Sequence, residues 1–176
     1  AIVWGEGEDG PANKKAGTPK NTKRITSELG SVSPTIVVPG PWSAADIRYQ
    51  AENIATIKLH NAGHNCVATQ ALIMPRGWDK TGALLEALKE VISTSTRPAW
   101  YPGALERMDS YADHGGKVET VSLGDTAPPL VIGEIGEYSY NRSCEVFGPA
   151  FGIKELDGSD AEAYLVSAQA ADKGWL

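Results

Sequence analysis

The chain has 176 residues, 41% hydrophobic and 22% charged, with a formal net charge of -6. That balance suits one folded domain with a core of its own and excludes a disordered chain. The negative field excludes electrostatic capture of nucleic acid or of an anionic membrane, and no apolar run approaches the ~20 residues of a membrane-crossing helix. The opening AIVWGEGEDG lacks the basic and apolar regions of a secretory leader, and the first residue is not Met. A processed chain or a piece of a longer one is therefore expected. Two cysteines, Cys66 and Cys144, are too few for a disulfide framework and point to a reducing, cytoplasmic home.

In chain order, residues 1–4 (AIVW) predict a short buried strand. Residues 5–24, polar and rich in glycine and proline, predict a surface loop. Within it, GEGEDG matches the dinucleotide pattern G-x-G-x-x-G. That reading is rejected, because Glu6, Glu8 and Asp9 would repel a pyrophosphate and no apolar helix follows. Ile25–Gly30 and Pro34–Val38 predict strand segments around a turn at Gly30–Ser31. Ser43 and Asp46 form a capping box with Asp in place of Glu. The helix they open runs to about His60, with Ile47, Ala51, Ile54 and Lys58 on one face, and Gly63 ends it.

Residues 67–74 predict a buried strand stopped by Pro75. Asp79 then caps a helix with Leu84, Leu85, Leu88, Val91 and Ile92 as its apolar stripe. A third helix starts near Pro102, turns Leu105, Met108 and Tyr111 inward and ends at Gly115–Gly116. Short strands at 117–122 and 129–133 follow, then CEVFGPAFGIKEL as a loop entering a strand. Ser159 with Glu162 is a second capping box, opening a helix through about Ala171. This order predicts an α/β fold: a largely parallel sheet with flanking helices.

The chemistry concentrates in HNAGHNC at 60–66. His60, His64 and Cys66 are metal-ligand types, but the repeated pairs of a zinc site are missing and His114 is the only other histidine. Cys66 could also pair with Cys144 or fill a core. A nucleophilic role fits the neighbourhood: Gly63 allows a sharp turn, and Asn61 and Asn65 carry donors for a developing oxyanion.

Three separated stretches resemble segments of the aldehyde dehydrogenase superfamily, in that family's order. SELGSVSP at 27–34 is similar to its E-L-G-G-K-[SN]-P segment, HNAGHNC at 60–66 to N-x-G-Q-x-C, and CEVFGPAF at 144–151 to E-E-x-F-G-P-V. The similarity runs from about Lys23 to Leu156. It departs at Ser31 and Val32, where the family has Gly and Lys, at His64 for Gln, and at Cys144 for the first Glu.

The resemblance implies that Cys66 attacks the aldehyde carbonyl and that Glu28 activates the water that cleaves the thioester. It implies that Glu145 bonds the nicotinamide ribose and Phe147 lies beside the nicotinamide, so NAD or NADP is the implied cofactor. Residues 1–30 would be the tail of a cofactor-domain region with a hinge, and 31–176 a catalytic domain incomplete at its C-terminus. The implied parent is a homo-oligomer that oxidises an aldehyde to an acid, with no nucleic-acid or membrane partner. Two rivals stand beside this reading, a coenzyme-A-acylating relative and a non-catalytic structural or interaction fragment. The chain by itself is expected to bind neither NAD nor NADP at micromolar concentrations.

Overall fold

The computed structural model describes residues 2–26, 28, 30–95, 97–114, 117–123, 129–136 and 144–173, with backbone only for 170–173. Ten α-helices and β-strands follow in order among the described residues: α1 (Asp9–Ala16), β1 (Pro34–Ile36), α2 (Ala44–Leu59), β2 (Ala71–Arg76), α3 (Thr81–Ser93), α4 (Ala104–His114), β3 (Val118–Val121), β4 (Leu130–Glu134), β5 (Ala150–Asp157) and α5 (Ala161–Lys173). From β1 onward this is the predicted order.

The strands form a five-stranded sheet in the order β1-β2-β5-β4-β3. Three pairings are parallel, and only β3 with β4 is antiparallel. The α/β fold with a largely parallel sheet is therefore as expected. Alternation along each strand divides the core into two layers. Leu72, Met74, Leu130, Ile132 and Phe151 face α2 and α3, where Ile47, Ala51, Ile54, Leu59, Leu84, Leu88 and Ile92 complete the main core. On the opposite face Val131 and Ala150 meet Met108 and Tyr111 of α4, while Ile73 meets Tyr164 and Ala168 of α5.

Several local expectations are corrected. Residues 2–4 are not a buried strand, for Ile2 is 84% exposed and the chain turns there. The 5–24 stretch contains α1, whose first turn carries Asp9 and whose last carries Lys14 and Lys15, matching the helix dipole. Only Gly10 of that helix is buried, so no apolar stripe announced it. Among the described residues of 25–30 there is no strand, and Ile25 is exposed. β1 already occupies the end of the sheet order, with β2 as its neighbour.

Pro75 lies inside β2 rather than stopping it. The reason is directional. Ile73 bonds towards β1 through Val37 N–H, whereas Gln70 and Arg76 accept from Gly152 and Gly158 on the opposite side. Pro75, two residues past Ile73, thus turns its missing donor to the side that β1 has left, where the ladder loses nothing. Its carbonyl takes the Thr81 hydroxyl at 3.1 Å.

Asp79 does not cap α3; it pairs with Lys80 at 2.8 Å, and Lys80 takes the cap position without a side-chain bond. Leu105 is 52% exposed, and Ala104 takes the inward place beside Met108 and Tyr111. α5 is capped by Asp160, whose carboxylate accepts the Ala163 N–H at 2.8 Å, while Ser159 N–H bonds to Asp157. Gly115–Gly116 lie outside the described residues. No described helix is long and apolar enough to cross a membrane.

Candidate active site

Parallel pairing dictates where the three motif segments meet. β1, β2 and β5 are neighbours with register Pro34↔Ala71 and Ala71↔Gly152, so their amino ends lie along one edge of the sheet. Residues 28–33 enter β1 there, 60–70 enter β2, and 144–149 enter β5. α2 runs back from the far edge, so its last turn delivers His60 to the same place.

The loop after α2 is built on unusual backbone. Asn61, Ala62 and Gly63 have φ of 56°, 55° and 81° in succession. The left-handed region disfavours L side chains, and non-glycine residues held there carry on the order of 1–3 kcal/mol of strain each. Gly63 has a second reason to be glycine, because a Cβ there would run into the Gly148 carbonyl. The 60–66 and 144–149 segments therefore touch backbone to backbone.

The asparagine donors turn inward. Asn61 Nδ2 bonds to His64 O at 3.2 Å and Asn65 Nδ2 to His60 Nδ1 at 2.8 Å, while Asn61 Oδ1 accepts from Trp100 Nε1 at 3.0 Å. They brace the loop instead of reaching out to an oxyanion. Cys66 beyond them is exposed, and it is not disulfide-bonded to Cys144. Its carbonyl accepts the Ser33 hydroxyl at 2.8 Å, tying the 28–33 segment to the cysteine.

Contacts between the first and third segments close the triangle. Glu145 is half-buried and takes a backbone bond from Ser31. Its Oε2 lies 2.7 Å from where a Cβ on Gly30 would sit, so only glycine lets the carboxylate lie that close. Burial raises the Glu145 pKa, the backbone bond from Ser31 opposes it, and the Glu28 charge raises it further. Glu28 itself is exposed. Cys66, Glu28 and Glu145 are thus carried by segments bound to one another.

Phe147 has φ +49°, a strained value for an aromatic residue. Arg107 clamps it in place: Nε donates to Val146 O at 2.7 Å and Nη2 to Phe147 O at 3.2 Å. Gln70 Oε1 accepts the Val146 N–H at 3.3 Å from the other side. Around Phe147 stand Tyr101 at 5.0 Å and His64 at 5.7 Å between ring centroids, with Trp100 5.3 Å from His64. His64 is buried, so desolvation lowers its pKa, and Arg107 and Lys58 lower it further against the bond to Asn61 O. A neutral ring with Nδ1–H on that carbonyl follows.

Sequence reasoning missed Arg107, Gln70, Trp100 and Tyr101 as parts of this site. Each has a partner 39 or more residues away, so local pattern carried no signal. Among the described residues no three His, Cys, Asp or Glu side chains gather into a group that could hold a metal ion.

Comparison with known proteins decides the family. The family model described as "Aldehyde dehydrogenase family" matches residues 11–170. The chain belongs to the aldehyde dehydrogenase family. A coniferyl aldehyde dehydrogenase of Pseudomonas sp. (strain HR199 / DSM 7063) is 27% identical over 179 residues, covering 85% of this chain and 34% of that protein. An NADP-dependent glyceraldehyde-3-phosphate dehydrogenase from Bacillus halodurans C-125, solved with NADP, superposes with TM-score 0.64 at 16% identity, over 89% of this chain and 34% of its own. The NAD+ complex of an aldehyde dehydrogenase from Bacillus cereus gives 0.64 at 18% identity, again over 89% and 34%. The chain therefore spans about a third of the length of these aldehyde dehydrogenases.

Proposed function

We propose that this chain is the thiol-bearing part of an NAD- or NADP-dependent aldehyde dehydrogenase, oxidising an aldehyde to a carboxylic acid through a thioester on Cys66. The observation that carries the reading is the meeting of residues 28–33, 60–66 and 144–149 at one sheet edge, locked by Ser33–Cys66, Gly63–Gly148 and Ser31–Glu145 contacts. In this reading residues 31–176 form the thiol-bearing domain, and 1–30 the end of a cofactor-domain region with its hinge.

The residues fit the cofactor's nicotinamide end. Phe147 is half-buried and keeps a reachable part; Glu145 is half-buried too, with Oε1 enclosed and Oε2 over Gly30. An ionised carboxylate only accepts hydrogen bonds, which suits ribose hydroxyls, and an aromatic face suits a planar ring.

The chemistry asks four things of the chain. The Cys66 thiolate adds to the carbonyl carbon as the C=O pair moves to oxygen. NAD or NADP, when bound, supplies the hydride acceptor that converts this adduct into a thioester. Glu28, exposed and therefore reachable by water, takes a proton from the attacking water molecule. The carbon–sulfur bond then breaks, releasing the acid and regenerating the thiolate.

Presteady-state kinetics of Glu28→Gln in the whole protein tests the order of steps. The first burst of reduced cofactor should persist while steady turnover falls at least ~100-fold, in the range expected for loss of a general base. A burst lost together with turnover would remove Glu28 from the hydrolytic step.

A further inference from the structure

Lys58 has no role in the chemistry above, yet it is the one lysine with no accessible surface among the described residues. It projects from the last turn of α2, one turn beyond Ile54 on the buried face. Its Nζ finds no hydrogen-bond partner. A lysine whose only task is to cover apolar surface would carry its ammonium to water; this one ends inside.

The end of α2 lies at the sheet edge where the three motif segments meet, and helix C-termini favour a cation. Inside the same edge, Glu145 Oε1 is also buried without a hydrogen-bond partner, while Oε2 lies over Gly30. Val32, where the family pattern has lysine, is apolar and 8% exposed, so β1 brings no cation here. Four other polar groups face the pair. Glu28 and Arg107 act on Glu145, Arg107 and Lys58 act on His64, and Gln70 holds the Val146 N–H. Arg107 already bonds three carbonyls, those of Pro102, Val146 and Phe147. His64 is neutral. Lys58 is left as the cation within the layer that can answer the buried carboxylate oxygen.

We propose that Lys58 is a positioning residue: its buried ammonium is the counter-charge that holds the Glu145 carboxylate at the amino ends of β1, β2 and β5. The titration behaviour agrees. Burial pushes Lys58 down to about 7, and Glu145 is the one charge that holds its proton on. In turn, Lys58 and Arg107 lower Glu145 against its own burial. The catalytic value of the pair rests on the cofactor reading of Glu145 given above; its existence does not.

The test uses protein with 13C at lysine Cε, titrated by NMR. One lysine should titrate near 7, apart from the rest, and disappear in Lys58→Met. Glu145→Gln, a change at a half-buried side chain, should move that midpoint further down. An unmoved midpoint overturns the pairing. In the whole protein, Lys58→Met should raise the KM for NAD or NADP about tenfold and leave the rate of Cys66 alkylation unchanged. If Glu145→Gln raises that KM and Lys58→Met does not, the positioning role is overturned. If both leave KM alone while the NMR coupling persists, the pair stands and the assignment of Glu145 to the cofactor falls.

Discussion

Helix α2 and the loop it feeds are adjacent in the chain and opposite in construction. α2 opens with a reciprocal cap, Ser43 and Asp46 each accepting the other's N–H. It runs sixteen residues with Ile47, Ala51, Ile54, Ala55 and Leu59 buried in regular order. The loop from His60 to Cys66 has three left-handed residues in a row and takes its support from elsewhere. Trp100 braces Asn61, Ser33 holds the Cys66 carbonyl, and Gly148 backs Gly63. The helix is stabilised by its own sequence, and the loop by residues it meets only after folding. That difference is what presents an exposed thiol on a fixed backbone.

The largest effect belongs to the thiol: in the whole protein Cys66→Ser should lower turnover at least ~1,000-fold, as for loss of an essential nucleophile. Because the side chain is exposed, the melting temperature should barely move. A large fall in melting temperature would make Cys66 structural. Gly63→Ala reverses that pattern. It forces a Cβ into the Gly148 carbonyl at a positive φ, so urea unfolding should show a loss of about 2–4 kcal/mol. A loss under about 1 kcal/mol would mean that the two segments can separate freely.

Lys58 sharpens the boundary between helix and loop through pH. Its folded value near 7 lies below the ordinary lysine value of 10.5, so between those values the unfolded chain binds more protons than the folded one. Stability should therefore rise with pH across that window, by up to ~1.4 kcal/mol per pH unit relative to Lys58→Met. The destabilisation is fully present below pH 7 and gone above 10.5. Identical pH dependence in both proteins would contradict a buried lysine whose pKa is pushed down by burial. The smallest effect is Ser43→Ala, which removes the cap of α2 and should cost about 1 kcal/mol in urea unfolding without changing Cys66 reactivity. Altered thiol reactivity there would show that the loop depends on the helix start after all.

Legibility in the sequence follows the same division. The cap at Ser43 and the apolar stripes of α2 and α3 depend on neighbours three or four residues away, so they could be read directly. The first thirty residues could not. AIVW has strand composition, but a strand needs a partner, and β1 stands last in the sheet. α1 buries one residue and hid among charges. At the site, Glu28, Glu145 and Phe147 were readable only as a resemblance and Cys66 from its neighbourhood as well, while the geometry that brings their segments together comes from strand order. Arg107 looked like any surface arginine of a helix until its partners, 39 and 40 residues away, were in place. Lys58 did leave a trace, since a charge on the apolar face of α2 is out of pattern.

Competitive alkylation of Cys66 and Cys144 in the whole protein, with and without an aldehyde, tests whether Cys66 is the nucleophile. A small iodoacetamide should modify Cys66 first, across pH, and an aldehyde should slow that reaction and leave Cys144 untouched. Equal rates for the two thiols with no protection by aldehyde would contradict a catalytic Cys66.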